Sequence, residues 1–170
     1  MTDDPESIKK NLARSGLYRL LSLGFGYPAA ALRQEYQRSL DCIRNASVQA
    51  SWEPVWSKLE SDSAEDLEGE YLRLFATNVV CSPYESEQGA GPKDFTKARD
   101  LSDIQGFYQA FGFSLVASAG ELGDHIRVEL EFMSILCLKE AYFFLWGEGM
   151  DEAVAIVRDG QRLFLRDHLG

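Results

Sequence analysis

Residues 124–146 constrain this chain more than any other stretch, because at helical spacing they are apolar on most of their circumference. A helix that is apolar all round has to be surrounded. Its longest purely apolar run, residues 141–146, is far too short to span a bilayer, so the rest of the chain must cover it. Gly147-Glu148-Gly149 ends the segment. Leu and Ala together outnumber Val, Ile and Thr about two to one, a composition suited to helix rather than pleated sheet. At 170 residues and 45% hydrophobic, the chain can bury one sizeable core. The expected fold is all-α, a single-domain bundle of six to seven helices around residues 124–146.

Glycine and proline mark out the covering helices. The first is predicted over about residues 5–23, with Ala13, Leu17, Leu20 and Leu21 on one stripe, and it stops at Gly24-Phe25-Gly26-Tyr27-Pro28. Others are predicted over about 29–45, 52–59, 63–77, 95–111 and 151–168. The fourth places Leu67, Tyr71, Leu74 and Phe75 at i, i+4, i+7 and i+8, which is one face. The fifth should bury Leu101, Ile104, Tyr108 and Phe111, with Gly112 at its stop. Residues 78–94 form the only long irregular segment, and loops of that length in compact domains often carry function.

The central helix has a polar entrance, Glu121-Leu122-Gly123-Asp124-His125. Asp at a helix start has a structural explanation, since its carboxylate caps free N–H groups and suits the dipole. No such explanation covers His125. Acid–base catalysis by the pair is disfavoured because neighbouring residues leave a helix on different sides and no nucleophile motif accompanies them. A carboxylate-bridged metal pair needs Glu-x-x-His on two helices. Here His125 lies four residues from both Glu121 and Glu129, and His168 has no glutamate three residues before it. An acidic helical metal-binding or hydrolytic protein built on Asp124, His125 and Glu129 is the alternative of a different class.

A net charge of −10 leaves nothing to neutralise phosphates and argues against nucleic acid. It would steer a cationic partner toward the surface. Cys42, Cys81 and Cys137 are odd in number and form no C-x-x-C, so reduced thiols in the cytoplasm are expected. The acidic N-terminus lacks a signal peptide's basic region, and no membrane insertion, metal or cofactor is expected. Residues 60–70 hold six acids and no base, which alone reads as a solvated helix face. They lead, however, into Tyr71-Leu72-Arg73-Leu74-Phe75 and then Ser82-Pro83-Tyr84-Glu85-Ser86. Carboxylates beside aromatic and apolar side chains would suit a peptide with basic residues next to a hydrophobic stretch.

An ordered set of motifs sharpens that reading. Tyr71-x-x-Leu74-Phe75 is followed by Pro83-Tyr84-Glu85-Ser86, by Asp100-Leu101-x-Asp103-x-x-x-Phe107-Tyr108-x-x-Phe111-Gly112, and by Asp124-His125-x-x-x-Glu129-Leu130-Glu131-Phe132-Met133. Phe164-Leu165-Arg166-Asp167-His168-Leu169-Gly170 closes it. The series resembles the TorD/DmsD/NarJ family of cytoplasmic chaperones that mature molybdenum-containing oxidoreductases, over nearly the whole chain. The resemblance implies a chaperone, not an enzyme. Its partner would be the N-terminal twin-arginine signal peptide of a molybdoenzyme catalytic subunit, held until cofactor insertion and export. A NarJ-type role on a non-exported molybdoenzyme is the variant within the class. The peptide site so implied comprises Tyr71, Leu74, Phe75, Pro83, Tyr84, Glu85, Ser86, Asp124, His125 and Glu129. Some relatives exchange helices to form dimers, so a homodimer is among the implied states. Two departures stand out. Gly123 sits where family members often have Pro, which leaves that turn without proline's fixed φ. Members also continue past the closing motif, so the family's C-terminal helix is expected to be missing, cut off, or supplied by another chain.

Overall fold

A computed structural model describes residues 5–29, 31–45, 57–58, 61–76, 79–88, 93–115, 121–146 and 149–170. Six α-helices lie among them: α1 (Pro5–Gly24), α2 (Leu32–Asn45), α3 (Ala64–Phe75), α4 (Lys93–Ala110), α5 (Ile126–Trp146) and α6 (Asp151–Asp167). The helix expected over 52–59 falls mostly outside the described residues. A short 3-10 turn, Glu85–Glu87, interrupts the irregular segment. No strand occurs among the described residues, which contain one isolated antiparallel bridge, Tyr84 to His125. Nor is any described helix long and apolar enough to cross a membrane.

The all-α expectation holds, with α5 as the packing axis. Its most extensive partner is α1, and α2 packs in turn on α1. Small residues let α1 approach closely: Ser15 and Gly16 are buried, and the Ser15 and Ser134 hydroxyls sit 2.9 Å apart. Ser134 also donates to the Ser15 carbonyl at 3.0 Å, and Ser22 to the Arg127 carbonyl at 3.0 Å. The main core joins Ile104 and Tyr108 of α4, Phe132, Met133 and Leu136 of α5, and Val157 and Phe164 of α6. A smaller cluster of Leu20, Leu40 and Ile43 ties α1 to α2. Burial of such side chains is worth roughly 1.5–3 kcal/mol each, which makes this packing the main cause of the fold.

Two expectations need correcting. First, α5 is not covered all round: Leu138, Tyr142, Leu145 and Trp146 form an exposed stripe on its C-terminal half. Apolar composition alone cannot tell which arc of a helix its neighbours will reach. Second, α5 begins at Ile126, so Asp124 and His125 belong to the turn before the helix and not to its first turn. Elsewhere, α3 starts from a capping box in which Ser63 and Asp66 satisfy each other's backbone N–H groups. Its predicted face is only half-buried. Phe75 meets Phe25 with ring centroids 6.1 Å apart, and Tyr71 meets Tyr27 edge-on at 5.4 Å.

Candidate functional site

The entrance turn of α5 is clipped to a segment some forty residues earlier. Ile126 N–H donates to the Pro83 carbonyl at 2.8 Å, and Glu85 N–H donates to the Asp124 carbonyl at 2.9 Å. Because the two segments run antiparallel here, Ser86 arrives beside the Asp124 side chain. Its hydroxyl donates to Asp124 Oδ2 at 2.5 Å and its N–H to the same oxygen at 3.4 Å. Asp124 is fully buried, and its Oδ1 has no hydrogen-bond partner. Asp124 therefore anchors the loop and does not cap the helix as its position suggested. The capping acceptor is His125, whose Nδ1 takes the Arg127 N–H at 3.0 Å.

That bond fixes the tautomer: an accepting Nδ1 leaves the proton on Nε2, the neutral form. Burial pulls the His125 pKa below its ordinary value, with Glu121 opposing and Arg127 assisting. The ring stands edge-on to Tyr84, centroids 5.0 Å apart. Arg127 is held off by Glu121, 3.2 Å away. Packing and a hydrogen bond hold the turn where proline is absent, since the Tyr108 hydroxyl donates to the Gly123 carbonyl at 2.7 Å. A Cβ on Gly123 would come within 3.0 Å of Leu115 and 3.4 Å of Tyr108, so the close approach itself favours glycine.

The C-terminal segment completes the arrangement. His168 Nδ1 lies 3.1 Å from Glu85, with its ring against Phe107 and Phe164 at 5.3 and 4.8 Å. Burial raises the Glu85 pKa and His168 offsets part of that rise. Glu129, one turn into α5, is 1% exposed and its Oε1 has no partner. Burial, then the neighbouring charges of Glu85 and Asp124, push its carboxyl up to about 8, so it is largely protonated at neutral pH.

These groups surround a cavity of about 390 Å³. Phe25, Phe75, Pro83, Tyr84, Ile126 and Leu169 give it apolar walls, and Glu85, Glu129, Asp167 and His168 its polar ones. A shallower depression of about 620 Å³ shares Glu85, Asp167 and His168 and adds Asp100, Asp103 and Arg99. A third groove, of about 440 Å³, lies between α1, α2 and α5, and its Arg19 is already engaged by Glu35 and Glu131. The first two are continuous and rich in carboxylates, which singles them out as a site for a cationic, partly apolar ligand.

Five of the ten expected site residues, Phe75, Pro83, Tyr84, Glu85 and Glu129, line the cavity. Ser86, Asp124 and His125 support it through the clip just described. Tyr71 packs on Phe75 at 5.3 Å without lining the cavity. Leu74 stays outside, its carbonyl accepting the Val80 N–H at 3.1 Å. The acidic run serves local ends: Asp62 faces Lys58, Glu70 pairs with Arg73, Asp66 caps α3, and Glu68 accepts from Tyr27. Glu60 lies outside the described residues. Sequence reasoning missed Phe25 and the C-terminal trio Asp167, His168 and Leu169. The closing motif was visible, but nothing local tied it to Glu85. Among the described residues, no group of three or more His, Cys, Asp or Glu is disposed to hold a metal ion.

Comparison with known proteins gives a consistent set. The family model described as nitrate reductase delta subunit matches residues 28–170. Over 174 residues the chain is 29% identical to the perchlorate reductase assembly chaperone protein of Dechloromonas aromatica (strain RCB), covering 96% of this chain and 76% of that one. It is 34% identical over 76 residues to the chlorate reductase assembly chaperone protein of Ideonella dechloratans, covering 45% of this chain and 39% of the relative. For the selenate reductase assembly chaperone protein of Thauera selenatis the identity is 32% over 93 residues, with 51% and 48% covered. Among solved structures, a protein from Archaeoglobus fulgidus assigned to redox enzyme maturation superposes with a TM-score of 0.53 at 21% identity. That superposition covers 88% of this chain and 92% of the other and speaks to the fold.

Proposed function

The chain belongs to the nitrate reductase delta subunit family, the NarJ/TorD group of assembly chaperones and not of enzymes, and from that premise we propose that it matures the catalytic subunit of an oxyanion reductase. Perchlorate, chlorate and selenate reductase chaperones among its relatives support that client class. The molybdenum of such a client belongs to the client. In this reading the chaperone works in the cytoplasm, binds the client's N-terminal twin-arginine signal peptide, and holds it until cofactor insertion is complete. The observation that carries the proposal is the joining of apolar walls and carboxylates in one cavity, at the clip between residues 83–86 and 124–126. A basic pair followed by an apolar run has the same two-part chemistry. Binding of a non-exported N-terminal tail, as in NarJ-type chaperones, is the second reading, favoured by the family whose model matches.

The test uses a synthetic peptide with two adjacent arginines before an apolar run, compared with one carrying glutamines instead. The arginine peptide is expected to bind more tightly, and equal affinity overturns the twin-arginine reading. Two protein variants then separate recognition from general acidity. Asp124→Asn with His125→Ala alters net charge by one unit at neutral pH, whereas Glu65→Gln with Glu68→Gln alters it by two. If the entrance shapes the site, the first pair loses more affinity while circular dichroism stays helical. Greater loss in the second pair would mean simple attraction to an acidic surface.

A further inference from the structure

Buried polar groups in folded proteins almost always find partners. Glu129 Oε1 has none, although the residue is 1% exposed and lines the same cavity as Tyr84. Glu140, on the same helix and equally buried, is fully engaged by Arg158 and Gln161. Depth alone therefore does not explain the missing partner. The charged groups around Glu129 are chiefly acids: Asp124 from the entrance turn, Glu85 from the 3-10 turn and Asp167 beside His168 at the end of α6. Tyr108 of α4 is a further titratable neighbour, and Tyr84 and His168 share the cavity wall, His168 being turned to Glu85 at 3.1 Å. Arg127, the nearest arginine in sequence, is turned to Glu121.

We propose that this cavity is a socket for a single guanidinium group, entering between Glu129 and Glu85 with its plane against Phe75 or Tyr84, and that its entry displaces the proton of Glu129. Three features select that chemistry. The carboxyls provide acceptors matched to a fork of N–H donors. Aromatic walls suit a flat, weakly hydrated cation better than a compact ammonium. The volume of about 390 Å³ lies in the lower part of the range of small-ligand sites. The proposal rests on the peptide-binding reading above and adds to it which atoms receive an arginine and what proton change follows. In the free protein Glu129 holds its proton because burial and two neighbouring carboxylates disfavour the anion. A cation in contact reverses that preference and the proton passes to solvent.

The experiment titrates the whole chain with N-acetyl-arginine N-methylamide, a cation without a carboxylate, followed by NMR up to saturating concentration and by calorimetry in two buffers of different ionisation enthalpy. Near pH 7 the expected release is close to one proton per probe. Affinity should tighten about tenfold between pH 6 and pH 7. Glu129→Gln should weaken binding tenfold or more and abolish the release. Glu85→Gln should weaken binding while the release persists, which also serves if the first variant does not fold. The matching lysine amide should bind several-fold more weakly. No saturable binding of the arginine probe, or binding without proton release, overturns the socket. If the twin-arginine peptide still binds in that case, the chaperone reading stands alone. If the probe binds with release but the peptide binds no tighter than the probe, the socket stands and the peptide reading falls.

Discussion

The two ends of α5 hold the same residue in the same degree of burial with opposite outcomes. Glu140 and Glu129 are each 1% exposed. Around Glu140, Arg158 donates at 2.5 Å, Gln161 at 2.9 Å, and Arg14 stands 3.6 Å away while donating to Gln161 at 2.6 Å. Around Glu129 there are carboxylates and a cavity wall. One end of the helix therefore carries a closed polar network that joins α1, α5 and α6. The other carries an open one, and burial without a partner is the condition that keeps a carboxyl protonated. A binding protein can use such a group, because its charge stays undetermined until a ligand arrives.

The largest expected effect is on the pH dependence of stability. In the unfolded chain Glu129 would lose its proton near its ordinary 4.5, and in the folded protein near 8. The folded state thus binds the extra proton between those values, and stability falls as pH rises from about 4.5 to about 8. The total is roughly 3–5 kcal/mol. Glu129→Gln, measured by urea denaturation, should be near neutral at pH 5 and more stable than wild type by several kcal/mol at pH 9. His125, held below its ordinary 6.5 by burial, tilts stability the other way at acid pH, so the difference between variant and wild type is the quantity to read. A parallel pair of curves would break the contrast between the two glutamates.

Next in size is Glu140→Ala, which opens the closed network. Removing one partner of a buried pair costs about 3–5 kcal/mol when the other charge stays stranded. Arg158 and Arg14 are half and a third exposed and can rehydrate, so a loss of about 2–3 kcal/mol is expected. A loss much below 1 kcal/mol would show that the network contributes little. The smallest change is Ser86→Ala, which takes from Asp124 its side-chain donor and leaves only the Ser86 N–H, 3.4 Å from the same oxygen. Leaving a buried acceptor without its donor costs about 1–3 kcal/mol, and thermal denaturation should register a loss near the lower end. The backbone clip should survive, visible as slow exchange of the Glu85 and Ile126 amides.

Much of the fold was legible because helices announce themselves locally. Apolar spacing, Gly112 after α4 and the glycines after Trp146 are all short-range signals, and each gave a boundary within a few residues of the observed one. The site was legible as a set of residues more than as a place. Phe75, Pro83, Tyr84, Glu85 and Glu129 do converge, while Leu74 does not. The role given to Asp124 passed to His125, since capping depends on where a side chain points once the turn is folded. The stripe of Leu138, Tyr142, Leu145 and Trp146 shows the same limit from the apolar side.

By itself, the sequence determined an all-α fold class, where its central helix ends, its acidity and its place in a family of chaperones. These follow from periodicity, composition and ordered motifs, which act over a few turns or survive as a pattern along the chain. Only the tertiary structure decided that His168 would meet Glu85, that Ser86 would hold Asp124, and that Glu140 would be paired and Glu129 left facing a cavity. Those outcomes depend on which distant donors three-dimensional packing brings within about 3 Å of a carboxylate, and no local signal encodes that distance.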